Sequence, residues 1–283
     1  MKQPTVLITG GNSGIGRATA TRFARAGYAV VIISRDAARG RAAVAEMSAR
    51  TGNPAVRCLQ GELGTIKGCR ELVKLIIQEV PSLQILINNA GVFMTERVLN
   101  ADGFDTNFMV NYLAPFILST GLTDLLARHA PSRILMVNTG LHLHGHFDLA
   151  QTPYGLDFGG RASYRNTKLA NALFTVELAG RVRQQGITVN ALSPGLYNTR
   201  VLKVTGWLRV AVRLGGAVLG LFQPIARSGQ APFYLATAPE LAAVTGAYFD
   251  QQKRAAFAPQ AADAVLRAQL WEATLAWLAA SSG

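Results

Sequence analysis

Cysteine is nearly missing from this chain: only Cys58 and Cys69 occur. Two thiols cannot make a disulfide framework, and their spacing fits no zinc motif. They suit a reducing compartment, so a cytoplasmic protein is expected. No apolar run reaches the roughly 18–20 residues that a transmembrane helix needs. The opening stretch, "MKQPTVLITGG", lacks the apolar core of a signal peptide and reads as the start of a strand. Histidine is scarce too. Of four in all, His142, His144 and His146 alternate in "HLHGH", and His129 stands alone on a helix. No cysteine or acidic cluster lies nearby to complete a ligand set, so these histidines are expected at a pocket mouth or on the surface, and no metal is expected. Acidic residues are few: 16 against 28 Lys and Arg, a net charge of +12. The bases are spread along the chain with no run of five or six. That pattern argues against nucleic acid and for an anionic cofactor or a solvated basic surface.

What the chain does have is apolar residues, 49% of 283, enough for one large core. Short β-rich runs alternate with longer helical patterns. "TVLITG", "YAVVIIS", "AVRCLQ", "LQILINNAG", "SRILMVNTG", "ITVNALSPG" and "GAYFD" read as strands. Helices are expected over 14–27, 36–50, 65–79, 102–128 and 161–184. Strands apolar on both faces, separated by helices, predict a single α/β domain: a Rossmann-type, doubly wound parallel sheet of about seven strands with helices on both sides. No linker or repeat divides the chain. The least regular segment, 198–230, contains "GWLRVAVRLGGAVLGLF". Arg209 and Arg213 interrupt it, which makes it a poor membrane span. Contact with a membrane surface is one reading; an apolar lid over a pocket is the favoured one.

"TGGNSGIG" follows the first strand and opens the first helix, with Gly10, Gly14 and Gly16 at G-x-x-x-G-x-G spacing. Glycine permits a sharp turn and lets phosphate approach the backbone, while a helix N-terminus presents free N–H groups. Asn12, Ser13 and Ile15 share this turn. At the end of the second strand an acid would select NAD through the ribose hydroxyl. Here the residues are Ser34 and Arg35, and an arginine can pair bidentately with a 2′-phosphate, so NADP(H) is expected. Asp36 fits a cap on the next helix.

In "YRNTK", Tyr164 and Lys168 stand four apart, on one face of a helix. A free tyrosine, with pKa about 10, is about one part in a thousand ionised at pH 7. A cation about 4 Å away is worth at most about 4 kcal/mol at an effective dielectric of 20. Half of that would lower the phenol's pKa by about 1.5.

Taken in order, "TGGNSGIG", "NNAG" at 88–91, "NYLAPF", "YRNTK" and "SPG" at 193–195 resemble the short-chain dehydrogenase/reductase family over nearly the whole chain. "YFDQQK" and the tryptophan-bearing last helix are similar to its retinol-dehydrogenase-like branch. The resemblance implies that Tyr164 exchanges a proton with the substrate oxygen, and that Lys168 lowers its pKa and binds the nicotinamide ribose. Asn111 would hold a water linking Lys168 to solvent. Asn89, Ala90 and Gly91 would line the adenosine side, and Pro194, Gly195 and Thr199 the nicotinamide. Glu62 and Leu63 stand where the family has Asp-Leu beside the adenine.

One departure matters. The family's serine, beside the substrate carbonyl, aligns here with Thr139, after Asn138 in "MVNTGLHLHGH". Threonine keeps the hydroxyl but adds a methyl that stiffens χ1 and crowds the pocket. The expected function is an NADP-dependent oxidoreductase moving hydride between nicotinamide and a carbonyl or alcohol carbon. An apolar substrate follows from Val201, Leu202, Trp207, Leu208, Val210 and Leu221 in the lid segment. Thr139 leaves open a non-redox isomerase, cyclase or lyase on the same fold. A non-catalytic NADP-binding regulator is a further alternative, against which Tyr164, Lys168 and Asn111 argue. The sequence sets no oligomeric state.

Overall fold

The structure, a computed structural model, describes residues 3–195 and 224–281. The strands are β1 (Thr5–Thr9), β2 (Ala29–Ser34), β3 (Val56–Gln60), β4 (Ile85–Asn88), β5 (Ser132–Val137), β6 (Ile187–Ser193), β7 (Tyr248–Asp250) and β8 (Lys253–Ala255). They form one sheet in the order β3-β2-β1-β4-β5-β6-β7-β8. Neighbours pair in parallel except β7 with β8. The eighth strand is one more than expected. Its three residues are exposed and carry no apolar pattern, and a tight turn with Gln251 at φ 56° folds them back on β7.

Period-two alternation sends side chains to two cores. Val6 and Ile8 of β1 and Val30 and Ile32 of β2 face one side, with Phe23 and Met47. Leu7, Val31, Ile33 and Leu86 face the other, with Leu72, Phe108, Phe116 and Leu173. Each such side chain contributes about 1.5–3 kcal/mol on burial. Helices α1 (Gly14–Arg25) and α2 (Ala37–Thr51) cover the first face, and α3 (Ile66–Glu79) lies on the second. Capping explains two starts: Asp36 accepts from the Arg39 N–H, and Thr65 from the Gly68 N–H.

The helix expected over 102–128 is interrupted. It runs as α4 (Thr106–Phe108), a π-helical turn (Met109–Leu113), α5 (Ala114–Gly121) and α6 (Thr123–Ala127). Pro115 supplies the reason. It has no N–H for the Asn111 carbonyl four residues back. The Ala114 N–H reaches back five residues instead, to Met109. The Asn111 carbonyl accepts a side-chain bond from Asn171 at 2.9 Å. Asn171 lies on α7 (Arg161–Arg181), which together with α9 (Ala264–Ala280) packs on this face; α8 (Gln230–Thr237) joins the opposite one. The chain reverses between β1 and β4, so a crevice opens at their C-terminal ends, where ligands bind in open α/β sheets.

Candidate active site

The crevice floor is laced by Thr9 and Asn89. The Thr9 hydroxyl accepts from the backbone N–H groups of Asn89 and Ala90, both at 2.9 Å. The Asn89 carboxamide donates to the Thr9 carbonyl at 2.7 Å. Thr9 carries no sequence signal beyond its place before the glycines. Gly10 and Gly14 adopt φ 66° and 54°. A Cβ on Gly16 would stand 2.4 Å from the Asn89 side chain and 2.5 Å from the Gly10 carbonyl, so only glycine lets α1 start this close to the sheet. Ser13 precedes α1, yet its side chain makes no capping bond. The N–H groups of the first turn, with Ile15 among them, therefore have no side-chain cap. Space around Gly14 is open. Asn12 and Ser13 lie on the same half-buried rim. This geometry fits a pyrophosphate.

Beyond the end of β2, Arg35 is exposed and lines a cavity of about 560 Å³ with Gln60, Glu62, Glu71, Leu72 and Leu75. Glu62 turns one carboxylate oxygen to the backbone N–H groups of Leu63 and Gly64, at 2.8 and 2.6 Å. Ser34, expected beside Arg35 in binding, is buried, and its hydroxyl donates to the Asp36 carbonyl at 2.8 Å. Its proton is thus used inside the chain, and Arg35 is the group of this pair that faces the cavity.

At the other end, Tyr164 and Lys168 occupy the first turns of α7. Lys168 is 4% exposed. Its Nζ donates to the Val137 carbonyl at 3.0 Å and lies 5.9 Å from the centre of the Tyr164 ring. Burial pulls the Lys168 ammonium down to about 8 and pushes the half-buried Tyr164 phenol up to about 12. Desolvation thus outweighs the lysine's pull on the phenol in the protein by itself. Phe93 packs edge-on against Tyr164.

Asn111 sits in the π-helical turn and is fully buried. Its Oδ1 accepts from the Val92 N–H at 2.9 Å, and its Nδ2 donates to the Val92 carbonyl and the Thr167 hydroxyl, at 3.0 and 3.2 Å. A Cβ on Gly91 would stand 3.1 Å from Asn111 Oδ1 and 3.7 Å from Lys168 Nζ. The glycine keeps that space clear.

Thr139 follows β5 by two residues, half-buried, and its hydroxyl accepts from the Leu141 N–H at 3.3 Å, capping a short 3-10 helix, Gly140–His144. Accepting leaves the hydroxyl proton free to donate. Asn138, assigned no role from the sequence, bonds on both sides: its Oδ1 accepts from the Thr139 N–H at 2.9 Å and its Nδ2 donates to the Lys168 carbonyl at 3.1 Å. It ties the strand end to α7. His142 departs from expectation. It is fully buried, with Nδ1 2.7 Å from the Thr139 carbonyl and its ring 4.6 Å from that of Tyr248. The 3-10 turn swings it inward, and burial lowers its pKa. His144 and His146 are exposed. After β6, Pro194 is buried and Gly195 takes φ 104°. Thr199, and the lid positions Val201, Leu202, Trp207, Leu208, Val210 and Leu221, lie outside the described residues.

Comparison with known proteins gives the same picture. Residues 4–206 match the family described as short chain dehydrogenase. Retinol dehydrogenase 13 of Mus musculus is 37% identical over 287 residues, covering 99% of this chain and 85% of that protein. Retinol dehydrogenase 14 of Homo sapiens is 34% identical over 287 residues, covering 96% and 85%. Among solved structures, a putative uncharacterized protein from Mycobacterium Paratuberculosis superposes with a TM-score of 0.76 at 26% identity, over 98% of this chain and 93% of that one. The Pseudomonas aeruginosa RhlG/NADP active-site complex gives a TM-score of 0.72 at 22% identity, over 87% and 94%, a likeness of fold. By sequence match, motif order and sheet topology together, this chain belongs to the short-chain dehydrogenase family.

Proposed function

We propose that the protein is an NADP(H)-dependent oxidoreductase acting on a carbonyl or alcohol carbon of an apolar small molecule. Two observations support the reading: the buried Lys168 ammonium lies 5.9 Å from the centre of the Tyr164 ring, and Asn138 links the backbone of Thr139, just past β5, to the Lys168 carbonyl. When bound, the nicotinamide supplies or accepts the hydride. The chain's own residues handle the proton and the charge. With its pKa near 12, Tyr164 is protonated at neutral pH and suited to donate to a carbonyl oxygen that gains negative charge. Thr139 donates a second hydrogen bond to that oxygen while still capping its helix. Lys168, cationic below about pH 8, stabilises the tyrosinate left behind. Gly91 keeps the space between Asn111 Oδ1 and Lys168 Nζ free of a side chain, and a water there would return the proton from solvent.

Arg35 supports NADP(H) over NAD(H): it is a guanidinium at the cavity beyond β2, while Glu62, a carboxylate on the same lining, is turned to backbone N–H groups. The retinol dehydrogenase names of the relatives support a retinoid-like alcohol or aldehyde as the substrate class. The expected apolar cover over 198–230 belongs to the same reading. The test is NADPH consumption with all-trans-retinal and a panel of long-chain aldehydes and ketones. Turnover with at least one, and faster with NADPH than NADH, is the expected result. Tight NADPH binding with no consumption across the panel would end the redox reading.

A further inference from the structure

The Phe93 ring meets the Tyr164 ring edge-on, with centroids 5.4 Å apart and planes at 80°. Among the described residues it is the only aromatic ring in contact with Tyr164. The backbone on either side of Phe93 is fastened. Val92 exchanges two hydrogen bonds with the Asn111 carboxamide, at 2.9 and 3.0 Å. The Met94 N–H donates to Asn107 Oδ1 at 2.8 Å. Asn107 in turn donates to the Ser163 hydroxyl at 3.2 Å, and Ser163 immediately precedes Tyr164. Both asparagines are fully buried. Burying a carboxamide is costly unless its partners are in place. Here the partners are the loop residues that flank Phe93 and the first turn of α7. The loop and the tyrosine are thus held in one frame, with the aromatic contact at its centre. Phe93 itself is half-buried.

We infer that Phe93 is a positioning residue for Tyr164: its ring fixes the orientation of the phenol and keeps water from it, so that the proton passes to the substrate oxygen. This rests on the reading of Tyr164 as the proton donor, but the contact is testable without turnover. Alkaline titration followed by tyrosinate absorbance, taken as the difference between each chain and its Tyr164→Phe counterpart, isolates Tyr164. Burial pushes the native phenol up, so its midpoint is expected at about 12. Phe93→Ala lets water in, and its midpoint falls toward the free value of about 10. Phe93→Leu keeps the apolar cover and holds the midpoint near the native one. With NADPH and all-trans-retinal, Phe93→Ala lowers kcat about tenfold with KM within about twofold, as a misoriented acid should. Phe93→Leu recovers most of that loss. An unmoved midpoint in Phe93→Ala overturns the proposal whatever the activity, and so does a shifted midpoint with unchanged kcat. If the midpoint shifts while neither native nor variant reduces any carbonyl, the contact stands and the redox reading fails instead.

Discussion

Lys168, at one end of the crevice, is buried and hydrogen-bonded to strand backbone; Arg35, at the other, stands exposed beside Glu62 and Glu71. The buried end is built from asparagines: Asn107, Asn111, Asn138 and Asn171 each bond across long sequence separations. Their hydrogen bonds fix geometry, and burial sets pKa values. At the exposed end, water and salt screen every charge, and selection works through net attraction to a phosphate. Changes at the first end should therefore alter the chemical step, and changes at the second should alter which cofactor binds and how salt affects it.

The sharpest way to test that contrast is Tyr164→Phe. It should lower kcat by about a thousandfold or more while NADPH binding stays within about twofold. A variant with most of the native rate would show that another group is the acid. Next come substitutions of Thr139. Thr139→Val and Thr139→Ala remove the hydroxyl and should raise the barrier by about 2.7–4 kcal/mol, while Thr139→Ser stays within about tenfold. Both deletions also lose a helix cap worth about 1 kcal/mol, so thermal stability is measured alongside the rate. If Val matches Thr in rate, the hydroxyl is idle and the isomerase, cyclase or lyase alternative moves ahead.

A smaller effect appears in stability against pH. The folded Lys168 titrates near 8, below its ordinary 10.5. Between those values the unfolded chain binds more protons, so its contribution to stability rises with pH across that window. Lys168→Met should abolish the rise and raise stability at pH 7 by up to about 3 kcal/mol. Tyr164 acts in the opposite direction: its folded value is raised, so stability falls as pH climbs from about 10 to 12. Denaturant titrations from pH 7 to 11 on the three chains separate the two contributions. The smallest change belongs to the exposed end. Arg35→Ala should weaken NADPH about tenfold, about 1.4 kcal/mol, and leave NADH nearly unaffected. Raising salt should erase much of the difference. Equal native affinities for the two cofactors would refute the role given to Arg35.

How far the sequence reveals all this follows the same division. The glycine turn, the Tyr164–Lys168 spacing and the alternation of strands and helices are local patterns, and they appear where expected except over 102–128, where the helix is interrupted around Pro115. Asp36 caps α2 as its position implied. The asparagine network is not local: Asn111 and Asn171 are sixty residues apart, and nothing in either neighbourhood names the other. Ser34 looks like a binding hydroxyl beside Arg35, but the turn into α2 directs it to the Asp36 carbonyl. The alternating histidines are expected at a pocket mouth or on the surface. A 3-10 turn, tighter than a strand, instead separates buried His142 from exposed His144. β8 is held by pairing with β7, and its own residues do not declare it.

The π-helical turn at Met109–Leu113 also bears on how this chain tolerates changes in length. A π turn amounts to one residue more than an α-helix would hold. Deleting a single residue there would let the turn close to regular α geometry, so that the residues after it keep the face they now present. Phe116 and Leu118, now fully buried, would stay on the core, and the change would fall on the turn itself, where the Asn111 carbonyl stands opposite Asn171. The same deletion inside the regular α-helical part of α7 would rotate everything after it by about 100° and carry the error along the helix.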